Sequence, residues 1–470
     1  MTAAVACSSP APWPSLAEHA ADYRQGRTSA LATTQECLRR IRALDPHMGA
    51  FVEVYEDEAL AAAEAADAML QAGHWLGPLH GVPIAIKDLV DIAGKATTWG
   101  CAFRREALAD VSAPLVHTLL AAGAIIVGKT HLVQFALGAW GLNEFMGTPR
   151  NPWGGAQHLS PGGSSSGSAV AVAAGMVPLA IGTDTGGSVR VPAALCGITG
   201  HKPTWGLVDA SGVAALSPTL DSVGVFATRA ADALVLMQVL AKGQALGRPG
   251  SAPAEPQGDP LQPFAGLRMG CLGAADLKGV APDVLDAYAS ALTVFERAGA
   301  QVVETALPTT FEDFAETASH IMLAEGALLY GDMARDDSLP IDCTVRPRLL
   351  AGTELPATAY LQARRHQAFL KDRFAAQCDR LDVLLTPAAP TTAQPLQTLD
   401  PAQAPIRYTR IFNLLQSCGV SVPAGLDRQG LPMGLQIAGM RRGDADVLRI
   451  AAEFQKLTPF HEARWPTWET

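Results

Sequence analysis

Short aliphatic runs alternate with helical stretches along most of this chain, and that rhythm limits the fold more than any other feature. The run Val82-Pro83-Ile84-Ala85-Ile86 reads as a strand that ends in Lys87-Asp88. A helix is expected near 114–122, a strand near 124–127, a helix near 168–175 and a strand near 177–182. The pattern returns at Leu267–Leu272, a helix near 282–298 and Val302-Val303. Such alternation predicts an α/β architecture with a largely buried sheet. The expected fold is one α/β/α domain with a large mixed twisted β-sheet covered by helices, and with the functional site at loops after its strands. Residues 15–72 read as helices, because Ser29–Leu44 and Glu56–Ala72 carry apolar residues at helical spacing. Residues 1–75 are therefore expected as a helical segment packed on a core formed by 76–470. The stretch 243–262 is rich in Gly, Pro, Ala and Gln and reads as a surface loop or linker. The basic cluster at 364–373 reads as the solvated face of a helix over 355–380.

Composition removes several functional classes. With 470 residues, 49% of them hydrophobic, the chain can bury a substantial core. A net charge of −10 argues against nucleic acid or anionic membranes as partners. No apolar run reaches the roughly 18 residues of a membrane span, and the first residues lack the pattern of a signal peptide. The eight cysteines include no CxxC pair, which fits reduced thiols in a cytoplasmic protein. The eleven histidines include no HExxH pair, so neither a metal nor another cofactor is expected.

Two Gly/Ser segments carry the chemistry. The first is Pro161-Gly162-Gly163-Ser164-Ser165-Ser166-Gly167-Ser168, which runs straight into a small apolar helix. The second is Gly182-Thr183-Asp184-Thr185-Gly186-Gly187-Ser188-Val189-Arg190, delivered by the strand Met176–Ile181. Glycine permits positive φ and close approach of backbone to ligand. Consecutive N–H groups in such a turn can converge on an anion. A serine there is a nucleophile only if something takes its proton. No histidine lies in either segment, and the basic candidate is Lys87 at the end of a buried strand. Burial makes a lysine easier to deprotonate. Each Gly/Ser segment alone is as readily a structural turn; together with Lys87 they favour a site.

With Gly77-Pro78-Leu79-His80-Gly81-Val82-Pro83-Ile84-Ala85-Ile86-Lys87-Asp88 added, these motifs resemble the amidase signature family. Ser164 and Ser188 stand 24 residues apart, as that family's two catalytic serines do. The likeness is dense from about 76 to 240 and resumes at Asp382–Pro387, Asn413, Val420–Pro423 and Gly430–Gln436. It is loose over 243–345 and in the N-terminal helices.

The resemblance implies the amidase signature fold. It also implies that Ser188 is the nucleophile, that Ser164 is a bridging serine on a cis peptide bond, and that Lys87 is the base. The N–H groups of Thr185, Gly186, Gly187 and Ser188 would form the oxyanion hole. Asp184 and Arg190 match the family too and are expected to support the loop rather than touch substrate. Ser166 stands where many members have glycine, and Gln134 where glutamate is frequent.

Trp140, Phe145 and Met146 are candidate walls of an acyl pocket. Two other motifs read as coincidences. Gly123–Thr130 fits GxxxxGK[ST], but its Ala-Ile-Ile-Val is itself a strand rather than a pliable loop. Gly163–Gly167 fits GxSxG about Ser165, which would need a histidine partner such as His366 or His461 and leave Lys87 unexplained.

The expected activity is hydrolysis of small amides, with esters and carbamates of apolar or aryl substrates also within reach, by a monomer or homodimer without nucleic acid or membrane. The alternative is the glutaminase subunit of a tRNA-dependent amidotransferase. In glutamyl-tRNA amidotransferase that subunit carries an acidic residue before the segment matching Tyr408–Asn413, whereas this chain has Pro405-Ile406-Arg407.

Overall fold

Side chains alternate between the faces of a strand, and the central strands use both faces for apolar packing. Ile84, Ile86, Leu179, Ile181, Val223 and Val225 join one core cluster. Ala85, Ala180 and Phe226 join another on the opposite face. A strand buried on both sides needs helices on both sides, and the computed structural model has them. It describes residues 6–246, 261–439 and 442–469.

The strands are β1 (Ala6–Cys7), β2 (Phe51–Val54), β3 (Pro83–Lys87), β4 (Ile125–Thr130), β5 (Leu179–Asp184), β6 (Thr199–Lys202), β7 (Ser222–Ala227), β8 (Arg268–Cys271), β9 (Gln301–Glu304), β10 (Val383–Pro387), β11 (Gly419–Leu426), β12 (Pro432–Gly439) and β13 (Trp468–Glu469). Eleven of them form one sheet in the order β2-β4-β3-β5-β7-β6-β11-β12-β10-β8-β9. Pairs β3–β4 and β3–β5 are parallel, whereas β5–β7, β6–β7 and β11–β12 are antiparallel. The sheet is therefore mixed, as expected. β1 pairs with β13 outside it.

The helices at Pro114–Ala121, Ala230–Leu240, Pro282–Arg297 and Asp444–Leu457 pack on the first face. Those at Ala30–Met48, Glu56–Gln71, Ser166–Ala173 and Arg190–Cys196 pack on the second. Burying each of Ile84, Ile86 and Ile181 stabilises the sheet by about 1.5–3 kcal/mol.

The N-terminal reading needs one correction. Residues 15–72 are not helical throughout: Phe51–Val54 is an edge strand antiparallel to β4. Its Phe-Val-Glu-Val sequence has strand propensity, and left-handed Gly49 ends the preceding helix just before it. Of the proposed loop at 243–262, residues 247–260 lie outside the described residues, while 241–243 form a turn.

No helix among the described residues is long and apolar enough to cross a membrane. No disulfide joins any of the eight cysteines among the described residues.

Candidate active site

Parity along β3 aims its last residue. Lys87 shares the face of Ala85, where the helix Ser166–Ala173 is packed. That helix lies close because its residues are small. A Cβ on Gly167 would collide with the carbonyl oxygen of Ala50. The turn before the helix holds Ser164, after a cis Gly163–Ser164 peptide, and brings its hydroxyl to Lys87. Nζ of Lys87 lies 2.8 Å from Ser164 Oγ and 2.8 Å from Thr183 Oγ1.

Lys87 is fully buried and has no carboxylate in contact. Burial draws its pKa down to about 7, against a smaller upward pull from Asp221 and Asp184. At neutral pH a substantial fraction of the amine is therefore neutral, and that form can accept the Ser164 proton while donating to Thr183.

Ser188 follows β5 in the second Gly/Ser loop. It is 7% exposed and faces a cavity of about 410 Å³. Among the described residues no hydrogen bond joins the Ser164 and Ser188 side chains. The two segments are tied instead by Ser165 N–H donating to the Ser188 carbonyl at 3.3 Å. Hydrogen bonds between catalytic side chains are often long or absent without substrate and tighten when it binds.

The Ser188 loop is clamped from below by Asp184 and Arg190. The Asp184 carboxylate accepts from Gly187 N–H at 2.7 Å and Val189 N–H at 3.0 Å. Arg190 grips both Asp184 oxygens, through Nε at 3.1 Å and Nη2 at 2.9 Å. Its remaining donors reach Thr409 O, Gln436 Oε1 and Asn413 Oδ1 at 2.8, 2.7 and 2.6 Å. Burial alone would raise the Asp184 carboxyl, but the charges of Arg190 and Lys202 and the bonds from Arg190 and Asn413 hold it well below the usual carboxylate range. Both side chains are fully buried and neither lines the cavity.

This clamp changes the expected oxyanion donors. The N–H of Gly187 is engaged by Asp184, whereas those of Thr185, Gly186 and Ser188 have no hydrogen-bond partner among the described residues. Thr409 Oγ1 donates to the Gly186 carbonyl at 2.8 Å and fixes the loop's outer edge. Thr185 Oγ1 donates to Asp221 at 2.5 Å. Burial raises the Asp221 carboxyl to about 6, opposed by that bond, by Ser217 and Leu216 N–H, and by Lys87.

Of the three candidate pocket residues, only Trp140 lines the cavity. Phe145 and Met146 do not. Their N–H groups donate to Asn143 Oδ1 at 3.2 and 2.9 Å, and this side-chain turn holds Phe145 at the surface, 40% exposed.

The cavity wall instead uses Leu137, Met322, Ile406, Arg348 and Arg410. The Gly182–Arg190 motif contains Thr183 but does not mark it as a partner of Lys87, and Arg348 and Arg410 have no local signal in the sequence. Strand parity around Lys87 could have suggested Thr183; the arginines arrive from helices more than 150 residues away in the chain.

Gln134 is buried and uses both ends of its amide. Nε2 donates to Pro340 O at 2.9 Å and Oε1 accepts from Asp342 N–H at 2.7 Å, a pairing an ionised glutamate could not make. Ser166 Oγ is buried without a partner.

The two coincidental motifs are structural. Lys129 of the GxxxxGK[ST] run is a buried strand residue, 3.1 Å from Asp88. Ser165 Oγ donates to Thr183 O at 3.1 Å. His366 pairs with Asp313 at 2.8 Å and His461 lies beside Glu462 at 3.9 Å, so neither bonds to Ser165.

A second cavity, about 500 Å³, lies across Thr185 and Leu216 and is lined by Thr183, Asp221 and Trp205 but not by Ser188. Glu144, Asp342 and Cys343 also come together, but the Asp342 carboxylate there already accepts from the N–H groups of Glu144 and Thr344.

The chain is similar to known proteins over most of its length. The amidase family model matches residues 32–448. The chain belongs to the amidase family. As an amidase-family enzyme it hydrolyses C–N bonds.

One relative is the A subunit of glutamyl-tRNA(Gln) amidotransferase from Chloroflexus aurantiacus, 36% identical over 93% of this amidase and 95% of that protein. Among solved structures, native peptide amidase from Stenotrophomonas maltophilia is 30% identical, with a TM-score of 0.80 over 96% of this chain and 98% of that one. A chain from a vestigial protein complex bearing on the evolutionary origins of an s-triazine catabolic enzyme is also 30% identical, with a TM-score of 0.83 over 94% and 98%.

Proposed function

We propose that this amidase acts on small linear amides through a Ser188 acyl-enzyme, with Ser164 as proton relay and Lys87 as base. The observation that carries the reading is the buried contact of 2.8 Å between Lys87 Nζ and Ser164 Oγ, in surroundings that lower the lysine pKa to about 7.

Neutral Lys87 accepts the Ser164 proton while Ser164 takes that of Ser188. Ser188 Oγ bonds to the amide carbonyl carbon, and the N–H groups of Thr185, Gly186 and Ser188 receive the oxyanion. The C–N bond then breaks. Ser164 delivers a proton to the leaving nitrogen, and protonated Lys87 restores the Ser164 proton. Water repeats the cycle on the ester. The net change is amide plus water to carboxylic acid plus amine. Esters and carbamates pass through similar intermediates.

The test is labelling of Ser188 by a fluorophosphonate probe, with turnover of a panel of amides, esters and carbamates. Labelling elsewhere, or undiminished turnover by Ser188→Ala, overturns the reading.

A second reading takes glutamine as the amide and puts the chain in an amidotransferase with partner subunits and tRNA. Sequence similarity favours it, since glutamyl-tRNA(Gln) amidotransferase relatives are 36% identical over most of the chain. The cavity favours the first reading, because no acidic side chain lines it to receive glutamine's ammonium. Co-purification of a second protein chain with glutaminase activity would decide for the second.

The expected apolar pocket holds only in part. Val133, Leu137, Leu142 and Met322 are apolar walls, but two arginines face the same space.

A further inference from the structure

Arg348 and Arg410 are the only charged residues among those lining the Ser188 cavity. Neither has an acidic partner among the described residues. Arg348 donates one bond, from Nη1 to Leu137 O at 3.1 Å. The Arg410 side chain makes no hydrogen bond or ion pair among the described residues.

The lack of partners is local. Arg346, two residues before Arg348, is bonded to Ala334 O, Leu339 O and Asp336 O and pairs with Asp337. Arg190, directly beneath the loop, satisfies its donors with Asp184 and three further acceptors. Both of these arginines are given acceptors; the two on the cavity wall are not given acids.

Both are held in place by the scaffold. Arg348 sits on the helix Arg346–Thr353. The loop leading to that helix is pinned by Gln134 through Pro340 O and Asp342 N–H. Arg410 opens the short helix Arg410–Leu414. The residue before it, Thr409, is fastened to the Ser188 loop through Gly186 O and to Arg190 through its own carbonyl. A Cβ on Gly186 would lie 3.9 Å from Arg410 Cβ and 3.8 Å from Ile406 Cδ1. The guanidinium stem therefore starts at the edge of the oxyanion loop.

Two cations sharing a partly dehydrated cavity repel each other. Burial lowers the pKa of both, that of Arg410 to about 10 with the Arg348 charge adding to the effect. Both stay protonated at neutral pH. Desolvated charges without partners are costly, and an anion between these two relieves both the desolvation and the repulsion. The planar guanidinium fork matches a carboxylate in particular.

We infer that the substrate bears a carboxylate, and no ammonium group, within a few bonds of the scissile carbonyl, seated between Arg348 and Arg410. The inference rests on the Ser188 amidohydrolase reading above and narrows it to amides of short dicarboxylic acids and amides of comparable charge and size. It excludes glutamine as the preferred amide, since its ammonium would enter a cavity whose only charges are positive.

The test is calorimetric titration of the Ser188→Ala protein with the half-amides from malonamate to adipamate, each against the neutral amide of the same length, and with L-glutamine. At the best length the half-amide should bind about 100-fold more tightly than its neutral counterpart, in line with two charge-assisted contacts. L-Glutamine should bind more weakly than glutaramate. Adding Arg410→Met or Arg348→Met should each cut the half-amide preference by about 10-fold or more. Titration of the wild-type enzyme with glutarate against 1,5-pentanediol makes the same comparison without any substitution.

Equal binding of half-amides and neutral amides, or tighter binding of glutamine than of glutaramate, overturns the inference. Separately, wild-type turnover with Ser188→Ala as control reports on the catalytic reading. Carboxylate-selective binding without Ser188-dependent hydrolysis would sink that reading and leave the anion site standing. Hydrolysis indifferent to the carboxylate would do the reverse.

Discussion

The loops that carry Lys87, Ser164 and Ser188 and the wall that carries Arg348 and Arg410 meet at one cavity but are built in different ways. The first region is made from strand ends and tight turns, and its charged side chains Lys87, Asp184 and Arg190 are all hydrogen-bonded. The second is made from two helices distant in sequence, and its charges are left without acidic partners. The difference separates two tasks. Backbone turns on a buried sheet hold reacting groups rigidly, which the chemistry demands. Helix surfaces can exchange side chains without disturbing the sheet, so they can set which amide enters.

This contrast can be broken at several points, and the largest effect should come from the nucleophile. Ser188→Ala is expected to lower kcat/KM by about 10⁴-fold or more, with an unchanged circular dichroism melt. Residual activity near wild type would remove Ser188 from the chemistry.

Lys87→Met should lower kcat/KM by about 10³-fold, within the range of general-base contributions. The wild-type rate should rise with pH through about 7 as Lys87 loses its proton, because only the neutral amine can accept one. The pH–rate profile of the variant should lose that rise. A wild-type rate that instead falls between about pH 6 and 8 would contradict a lysine base.

Asp184→Asn probes the clamp rather than the reacting atoms. It removes half of a fully buried pair and leaves the Arg190 charge exposed to a dry interior. Urea unfolding should register a loss of about 3–5 kcal/mol. A loss below about 1 kcal/mol would show that Gln436, Asn413 and Thr409 suffice for Arg190.

Gln134→Glu should cost less, about 1–3 kcal/mol in the same measurement, because it deprives Pro340 O of its donor. The smallest effect is expected at Phe145, which is exposed and outside the cavity. Phe145→Ala should stay within about 0.5 kcal/mol of wild type in stability, and a several-fold change in kcat/KM would return it to the pocket.

Legibility in the sequence followed the same division. The buried strand before Lys87, the two Gly/Ser turns and their order are local patterns, and each restricts its own backbone. From them the mixed α/β/α fold could be anticipated. The edge strand Phe51–Val54 could not, since a four-residue run between two strong helices is decided by pairing with β4 rather than by propensity. Phe145 and Met146, like Trp140, read as pocket residues because they follow a segment that resembles the family's. The side chain of Asn143 turns the Phe145–Met146 stretch outward, a choice that hydropathy does not register.

The sequence by itself determined which side chains stand at strand ends and which turns can bend sharply enough to hold a reactive serine, because those depend on neighbours only a few residues away. Tertiary structure decided which N–H groups remain free in the Ser188 loop, since Asp184 claims that of Gly187. It also decided that Arg348 and Arg410 face one cavity without an acid between them. Long-range packing sets that charge balance, and no local pattern encodes a partner that is missing.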